Sequence, residues 1–181
     1  MKYPSIRFDR FKMPEFSIAT TDVCLTEDMS RYYFYSKGKK YFSYEEALCL
    51  TDFLNSGCPT SGYDYDLPTD EEFKQIIAKY GYKDGICHSE NLATALGLGF
   101  YGSIGVLTTL EEYNESPLKF NYRQAIAYGV TGYYWCKGTG EYKGQASILC
   151  MDSSGEPTFI RNIQDNGDHI GCSVRLIARP W

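Results

Sequence analysis

Leu67-Pro68-Thr69-Asp70-Glu71-Glu72-Phe73 is the stretch on which the fold reading turns. Thr69 and Glu72 have the spacing of a capping box, in which each side chain satisfies the other residue's free backbone N–H at a helix start. Asp70 and Glu71 then sit in the first turn, where the helix dipole favours negative charge. Phe73, Ile76, Ile77 and Tyr80 follow at i, i+3, i+4 and i+7, the stripe of an amphipathic helix. Gly81 ends it.

Working toward the N-terminus, Ser43-Tyr44-Glu45-Glu46 repeats the capping signal, with Ser43 as N-cap and Glu46 at the third position. Ala47, Leu48, Leu50, Phe53 and Leu54 give that helix a broad apolar face, and Gly57 is a natural stop. Before it, Arg31 to Ser36 reads as a strand, Lys37-Gly38-Lys39 as a turn and Lys40-Tyr41-Phe42 as a returning strand. Residues 1–30, with Pro4 and Pro14, read as an extended arm holding one or two strands. Such an arm needs a partner, either the domain's own sheet or another subunit.

Toward the C-terminus, residues 82–132 are irregular except for a short helix at Ser89 to Leu96. The Gly-spaced run Leu96-Gly97-Leu98-Gly99-Phe100-Tyr101-Gly102 has no helical stripe, and long irregular segments of this kind are often functional loops. Strands follow at Gly132-Tyr133-Tyr134-Trp135-Cys136, Ala146 to Met151 and Thr158 to Ile160. The last strand is Gly171 to Ile177. Strand alternation puts Tyr133 with Trp135 on one face, and in the last strand Cys172, Val174 and Leu176 opposite Ser173, Arg175 and Ile177. Arg175 reads as a buried ion-pair partner, its carboxylate expected on a helix.

The chain has 181 residues, enough for a single domain with a real core, and 43% are hydrophobic. Its formal net charge of −5 argues against a nucleic-acid surface, which needs clustered Lys and Arg. No run approaches the roughly 20 apolar residues of a membrane span. Met1 to Arg10 lacks the apolar segment of a signal peptide. Taken as complete, the chain is expected to be made in the cytosol, with virion or surface display still open. Seven cysteines without a C-x-x-C pair give no zinc signal. Seventeen tyrosines stand out; they suit either a binding surface or half-buried strand rings, with about even weight.

Three segments, in order, resemble known families. Leu67 to Phe73 resembles a helix start of the formylglycine-generating-enzyme family and its lectin-fold relatives. Gly132-Tyr133-Tyr134-Trp135 resembles a strand of the Fibrobacter major paralogous domain family, and Gly171 to Ile177 is similar to that family's closing strand. The resemblance covers residues 31–178. It implies an α+β, C-type-lectin-like fold over 31–181: two helices flank a small, twisted, mostly antiparallel sheet with long irregular loops. Residues 1–30 fall outside it as an N-terminal extension or assembly arm. The family's Ser-rich segment after the Trp is replaced here by Cys136-Lys137-Gly138-Thr139-Gly140.

The resemblance also implies chemistry to weigh. The copper-binding Cys pair of the enzymes is close in sequence, whereas Cys136 and Cys150 are separated by a strand connection. The His triad of iron-dependent relatives cannot be built from His88 and His169. No catalytic residue is expected. Glu156-Pro157-Thr158 departs from the lectin calcium motif at its third position. Asp165 and Asp168 are weak calcium candidates beside a turn at Asn166-Gly167, and no other cofactor is expected. By position in the fold, Cys49 with Cys172 and Cys136 with Cys150 are candidate disulfides; buried thiols are the alternative. The loops at 137–145 and 161–170 would form the ligand face, through Tyr142, Arg161, Asn162, Gln164, Asp165, Asn166, Asp168 and His169. The expected function is non-catalytic: a module binding a cell-surface carbohydrate or protein. The alternative is a structural part of a phage virion or bacterial surface fibre, oligomerising through the arm. A formylglycine-generating-type enzyme stands third.

Overall fold

The computed structural model describes residues 6–25, 38–57, 62–104, 128–161, 163 and 170–181. Both capping boxes form. The Ser43 N–H donates to Glu46 Oε1 (2.8 Å) and the Glu46 N–H to Ser43 Oγ (3.1 Å), opening helix α1, Tyr44–Gly57. The Thr69 N–H donates to Glu72 Oε1 (2.9 Å) and the Glu72 N–H to Thr69 Oγ1 (3.1 Å), opening helix α2, Asp70–Tyr80. Gly81 closes α2 with its N–H on the Ile77 carbonyl. A third helix, α3, spans Ser89–Leu96 and ends on Gly97 in the left-handed conformation (φ 70°), the usual role of a glycine after a helix.

The strands are β1 (Phe11–Lys12), β2 (Ser17–Ile18), β3 (Tyr63–Asp66), β4 (Tyr82–Lys83), β5 (Ile86–Cys87), β6 (Thr131–Lys137), β7 (Ala146–Asp152), β8 (Thr158–Ile160) and β9 (Ile177–Pro180). They form a four-stranded sheet in the order β1-β2-β9-β3, a β4-β5 hairpin and a three-stranded sheet β6-β7-β8. All named strand pairs are antiparallel. The described architecture is therefore mixed α+β, with three helices and small antiparallel sheets.

The β6-β7 ladder is a wall between two apolar cores. Trp135, Ala146 and Ile148 face Phe42, Ala47, Leu50, Leu54, Val174 and Leu176. Tyr134, Cys136, Leu149 and Met151 face Phe73, Ile76, Leu92 and Leu96. Period-two alternation explains the split, and Tyr133 packs on the Trp135 side as expected. The buried Trp135 indole N–H donates to the Phe42 carbonyl at 2.7 Å, so its polar edge is satisfied.

Of the two partners open to the N-terminal segment, its own domain's sheet is the one observed. Ile18 pairs with Ile177, and the Ala19 and Val23 amides donate to Leu176 and Val174 (both 2.9 Å). Phe16, Ile18, Ala19, Val23 and Leu25 are buried in the two cores. Apolar side chains of that size gain more from this burial than a free arm could. Residues 11–25 thus share the cores of the later strands, and the boundary expected at 30/31 lies outside the described residues. The strand expected at 31–36 lies outside the described residues.

The closing segment also differs in detail. Regular pairing is confined to Ile177–Pro180, while 172–176 runs extended, with single bridges from Cys172 to Phe42 and from Ser173 to Tyr134. The expected alternation persists: Cys172, Val174 and Leu176 enter one core, Ile177 the other.

The candidate disulfides are not formed: Cys49, Cys136, Cys150 and Cys172 are thiols. For Cys136 and Cys150 the register gives the reason. Cys136 opposes Ser147 and Cys150 opposes Tyr133. The two cysteines are three rungs apart, roughly 10 Å at about 3.4 Å per residue, and point to opposite faces of the ladder. A bridge needs Cα atoms within about 7 Å. Burial pushes the Cys136 and Cys172 thiols well up from their ordinary range, so they behave as small apolar side chains.

Candidate functional site

Arg175 is buried, and its partner is Asp22 in the loop after β2 rather than a helical carboxylate. Its Nε donates to Asp22 Oδ1 (2.8 Å), and Nη1 donates to the carbonyls of Ala19 (3.0 Å) and Leu96 (2.7 Å). The guanidinium thus ties the β2 loop, the end of α3 and the closing segment together. The Tyr134 hydroxyl donates to Asp22 Oδ2 (2.6 Å) and accepts from the Gly99 N–H (2.8 Å). Burial pushes the Asp22 carboxyl above its usual range, against the opposing pull of Arg175 and Tyr134.

Above this ion pair lies a cavity of about 420 Å³. Asp22, Arg175 and Ser173 form its floor; Tyr41, Tyr101 and Tyr128 are among the residues that wall it. Ser173 and Arg175 share a face of the closing segment, the face that alternation assigns them. The wall is held by local geometry. The Tyr41 hydroxyl donates to the Tyr101 carbonyl at 2.6 Å, and the Tyr101 and Tyr128 rings stand 6.1 Å apart between centroids at 43°. The Gly-spaced run is what lets this wall form. A Cβ on Gly132 would come 2.0 Å from the Gly99 carbonyl oxygen, and one on Gly99 would come 2.0 Å from the Tyr101 ring. Both positions need glycine so that 99–102 can lie against 129–132, joined by the Gly129 N–H to Phe100 O (2.6 Å) and the Gly102 N–H to Thr131 O (2.7 Å).

The residues expected from the sequence lie elsewhere. Asn162, Gln164, Asp165, Asn166, Asp168 and His169 are outside the described residues, and with them the calcium candidates Asp165 and Asp168. Tyr142 and Arg161 do come together, in a strut around the Asp70 carboxylate. The Arg161 guanidinium lies 4.5 Å from the Tyr142 ring centroid and 5.0 Å from that of Phe159. It pairs with the buried Asp70 carboxylate and donates to Ser147 Oγ (3.0 Å). Thr139 donates to Asp70 through both its hydroxyl and its amide. Burial works to raise the Asp70 carboxyl, but the hydrogen bonds from Thr139 and Arg161, with the Arg161 charge, carry it below the ordinary range.

The cavity residues went unmarked because they come from five separated segments. The available signals were the Gly-spaced run 96–102 and the excess of tyrosine. Among the described residues, no group of three His, Cys, Asp or Glu side chains is placed to hold a metal ion, and no helix is long and apolar enough to cross a membrane. In comparisons with known proteins, the chain matches no family model, no curated protein and no solved structure.

Proposed function

We propose that this chain is a non-catalytic ligand-binding module of C-type-lectin-like architecture, which recognises a carbohydrate or protein group on a surface. The observation that carries the binding reading is the tyrosine-walled cavity over the Asp22–Arg175 pair. Its volume of about 420 Å³ falls within the range of roughly 300–1,000 Å³ common for small-ligand sites. Its lining has the mixture such sites use, aromatic area with a few convergent polar groups. The lectin-like architecture draws support from the pairing of β2 with β9, from α1 and α2 in sequence, and from the three-stranded β6-β7-β8 sheet. The non-catalytic reading draws support from Cys136 and Cys150, which point to opposite faces and cannot share a copper ion.

The test is a ligand-observed NMR screen of the purified chain against saccharides, short peptides and small aromatic acids. Each hit is repeated on Tyr128→Ala, whose side chain is exposed at the cavity wall. Hits that weaken in the variant support the site. A screen with no hits, or with hits indifferent to Tyr128, sinks it.

A structural role in a larger assembly, such as a virion or surface fibre, rests on a different observation. The β4-β5 hairpin exposes Tyr82 (55%) and Ile86 (67%), and since Tyr82 pairs with Cys87 and Ile86 with Lys83, the two project from opposite faces of the hairpin. If that hairpin assembles copies of the chain, light scattering finds an oligomer that Ile86→Asp dissolves. A monomer at high concentration removes the homo-oligomeric form of this reading.

A further inference from the structure

We infer that the cavity takes a neutral, hydroxyl-bearing ring, with one ring hydroxyl seated on the floor made by Arg175 and Asp22. The inference rests on the cavity being a ligand site, and it names the chemistry of the occupant.

An arginine offers five N–H donors. In Arg175 three are used: Nε on Asp22, and Nη1 on the Ala19 and Leu96 carbonyls. Among the described residues, nothing accepts from Nη2, although the residue is only 1% exposed. Nη2 is not one of the sealed, unpartnered polar atoms of the core; Arg175 lines the cavity, so this nitrogen is open to an acceptor that enters there. Its position is fixed by the three bonds at Nε and Nη1, and Gly97, another cavity residue, lies beside it: a Cβ there would stand 3.8 Å from Nη2, in ordinary contact. The left-handed φ of 70° favours glycine at 97.

Beside that donor lies an acceptor. Among the described residues each Asp22 oxygen takes one hydrogen bond, Oδ1 from Arg175 and Oδ2 from Tyr134, and an ionised carboxylate has room for about four. The Asp22 side chain keeps 19% exposure, so the free lone pairs can be reached. A donor and an acceptor side by side complement a hydroxyl, which accepts and donates through one oxygen. A carboxylate or phosphate would satisfy Nη2 but meet the Asp22 charge with acceptors only. The ion pair leaves the floor without net charge, while the exposed Lys40 adds one positive charge to the cavity lining, so the choice between a neutral and an anionic ring is read from the uronoside comparison below.

The walls complete the match. Tyr101 and Tyr128 offer ring faces to the C–H side of a saturated ring, while Thr20, Thr21 and Ser173 can address further hydroxyls. Hexopyranosides and the ribose of nucleosides both present this chemistry, and the experiment separates them.

Methyl glucoside, galactoside and mannoside, their matched uronosides, and uridine and adenosine are titrated by NMR with and without EDTA. Binding of a neutral hexoside or a nucleoside is expected; whichever binds identifies the source. The matched uronoside should bind at least tenfold more weakly, and EDTA should change nothing. Tyr128→Ala and Ser173→Ala should each weaken the neutral ligand, by about tenfold and about threefold. Arg175→Lys keeps the charge and removes Nη2, and should weaken it by more than tenfold. If that variant fails to fold, the Ser173 and Tyr128 variants still decide the matter. Preference for the uronoside, or silence from every neutral ring while other fragments compete at Tyr128, overturns the inference and leaves the binding site standing. Silence from all probes and fragments overturns both.

Discussion

Arg161 and Arg175 each pair with an aspartate beside aromatic rings, and among the described residues it is Arg175 that lines a cavity. At Arg161 two aromatic rings lie against the guanidinium, and the carboxylate it meets, Asp70, also takes two hydrogen bonds from Thr139. The cluster ties the start of α2 to β7 and to the end of β8. At Arg175, among the described residues, the aspartate keeps spare lone pairs, one guanidinium nitrogen has no acceptor, and the tyrosines stand back across a cavity. The comparison teaches that residue types do not separate a strut from a site. What separates them is whether the polar groups are consumed by the fold and whether the rings close over the charge.

The largest expected effect tests the strut. Asp70→Ala leaves Arg161 as a partly buried charge without its carboxylate and should cost about 3–5 kcal/mol in urea unfolding, the usual penalty for breaking such a pair. Ligand affinity at the cavity should stay within about twofold, because the two clusters share no partner. A loss below about 1 kcal/mol would mean that Arg161 is free to turn outward, and the contrast would fail.

The middle effect tests the site. Tyr128→Ala should change stability by no more than about 0.5 kcal/mol, since the side chain is 64% exposed. Its ligand affinity should fall about tenfold, close to 1.4 kcal/mol. Equal losses in both quantities would show that the tyrosine wall is structural.

The smallest effect is a difference in pH dependence. The Asp70 carboxyl is held below its ordinary 3.8, so it contributes stability that is present above 3.8 and lost as pH falls through its lower folded value. Asp22 is pushed above 3.8, so its contribution runs the other way and declines as pH rises through that value. Stability of Asp70→Asn relative to wild type should therefore improve as the solution is acidified below pH 4. Relative stability of Asp22→Asn should improve as pH rises from 3.8. Chemical unfolding at a series of pH values reads both slopes, and slopes of the same sign would erase the distinction between the two aspartates.

Much of the scaffold was legible because its determinants are local. Ser43 with Glu46, and Thr69 with Glu72, are three residues apart, and their reciprocal hydrogen bonds need no tertiary context. The alternation in 172–176 and 133–136 survives because both sides of each segment are buried against different partners. The Arg161 contacts were not legible for the opposite reason: Asp70, which holds Arg161 from 91 residues away, is invisible to local pattern. The disulfide expectation followed places in a fold, whereas a bridge between β6 and β7 depends on register, which no local motif fixes there. The cavity needs residues 20–24, 40–41, 97–101, 128 and 173–175 at once, so it exists only after the chain has closed.

The hydrogen-bonded chain from Gly99 through the Tyr134 hydroxyl to Asp22 has a practical consequence. Hydrogen bonds in series polarise one another, so a hydroxyl drawing on the Asp22 carboxylate alters what Tyr134 gives, and in turn what the Gly99 amide gives. Gly99 is therefore a spectroscopic reporter wired to the floor of the cavity. Its amide resonance should shift on titration of a bound ring even though its own backbone makes no contact with the ligand.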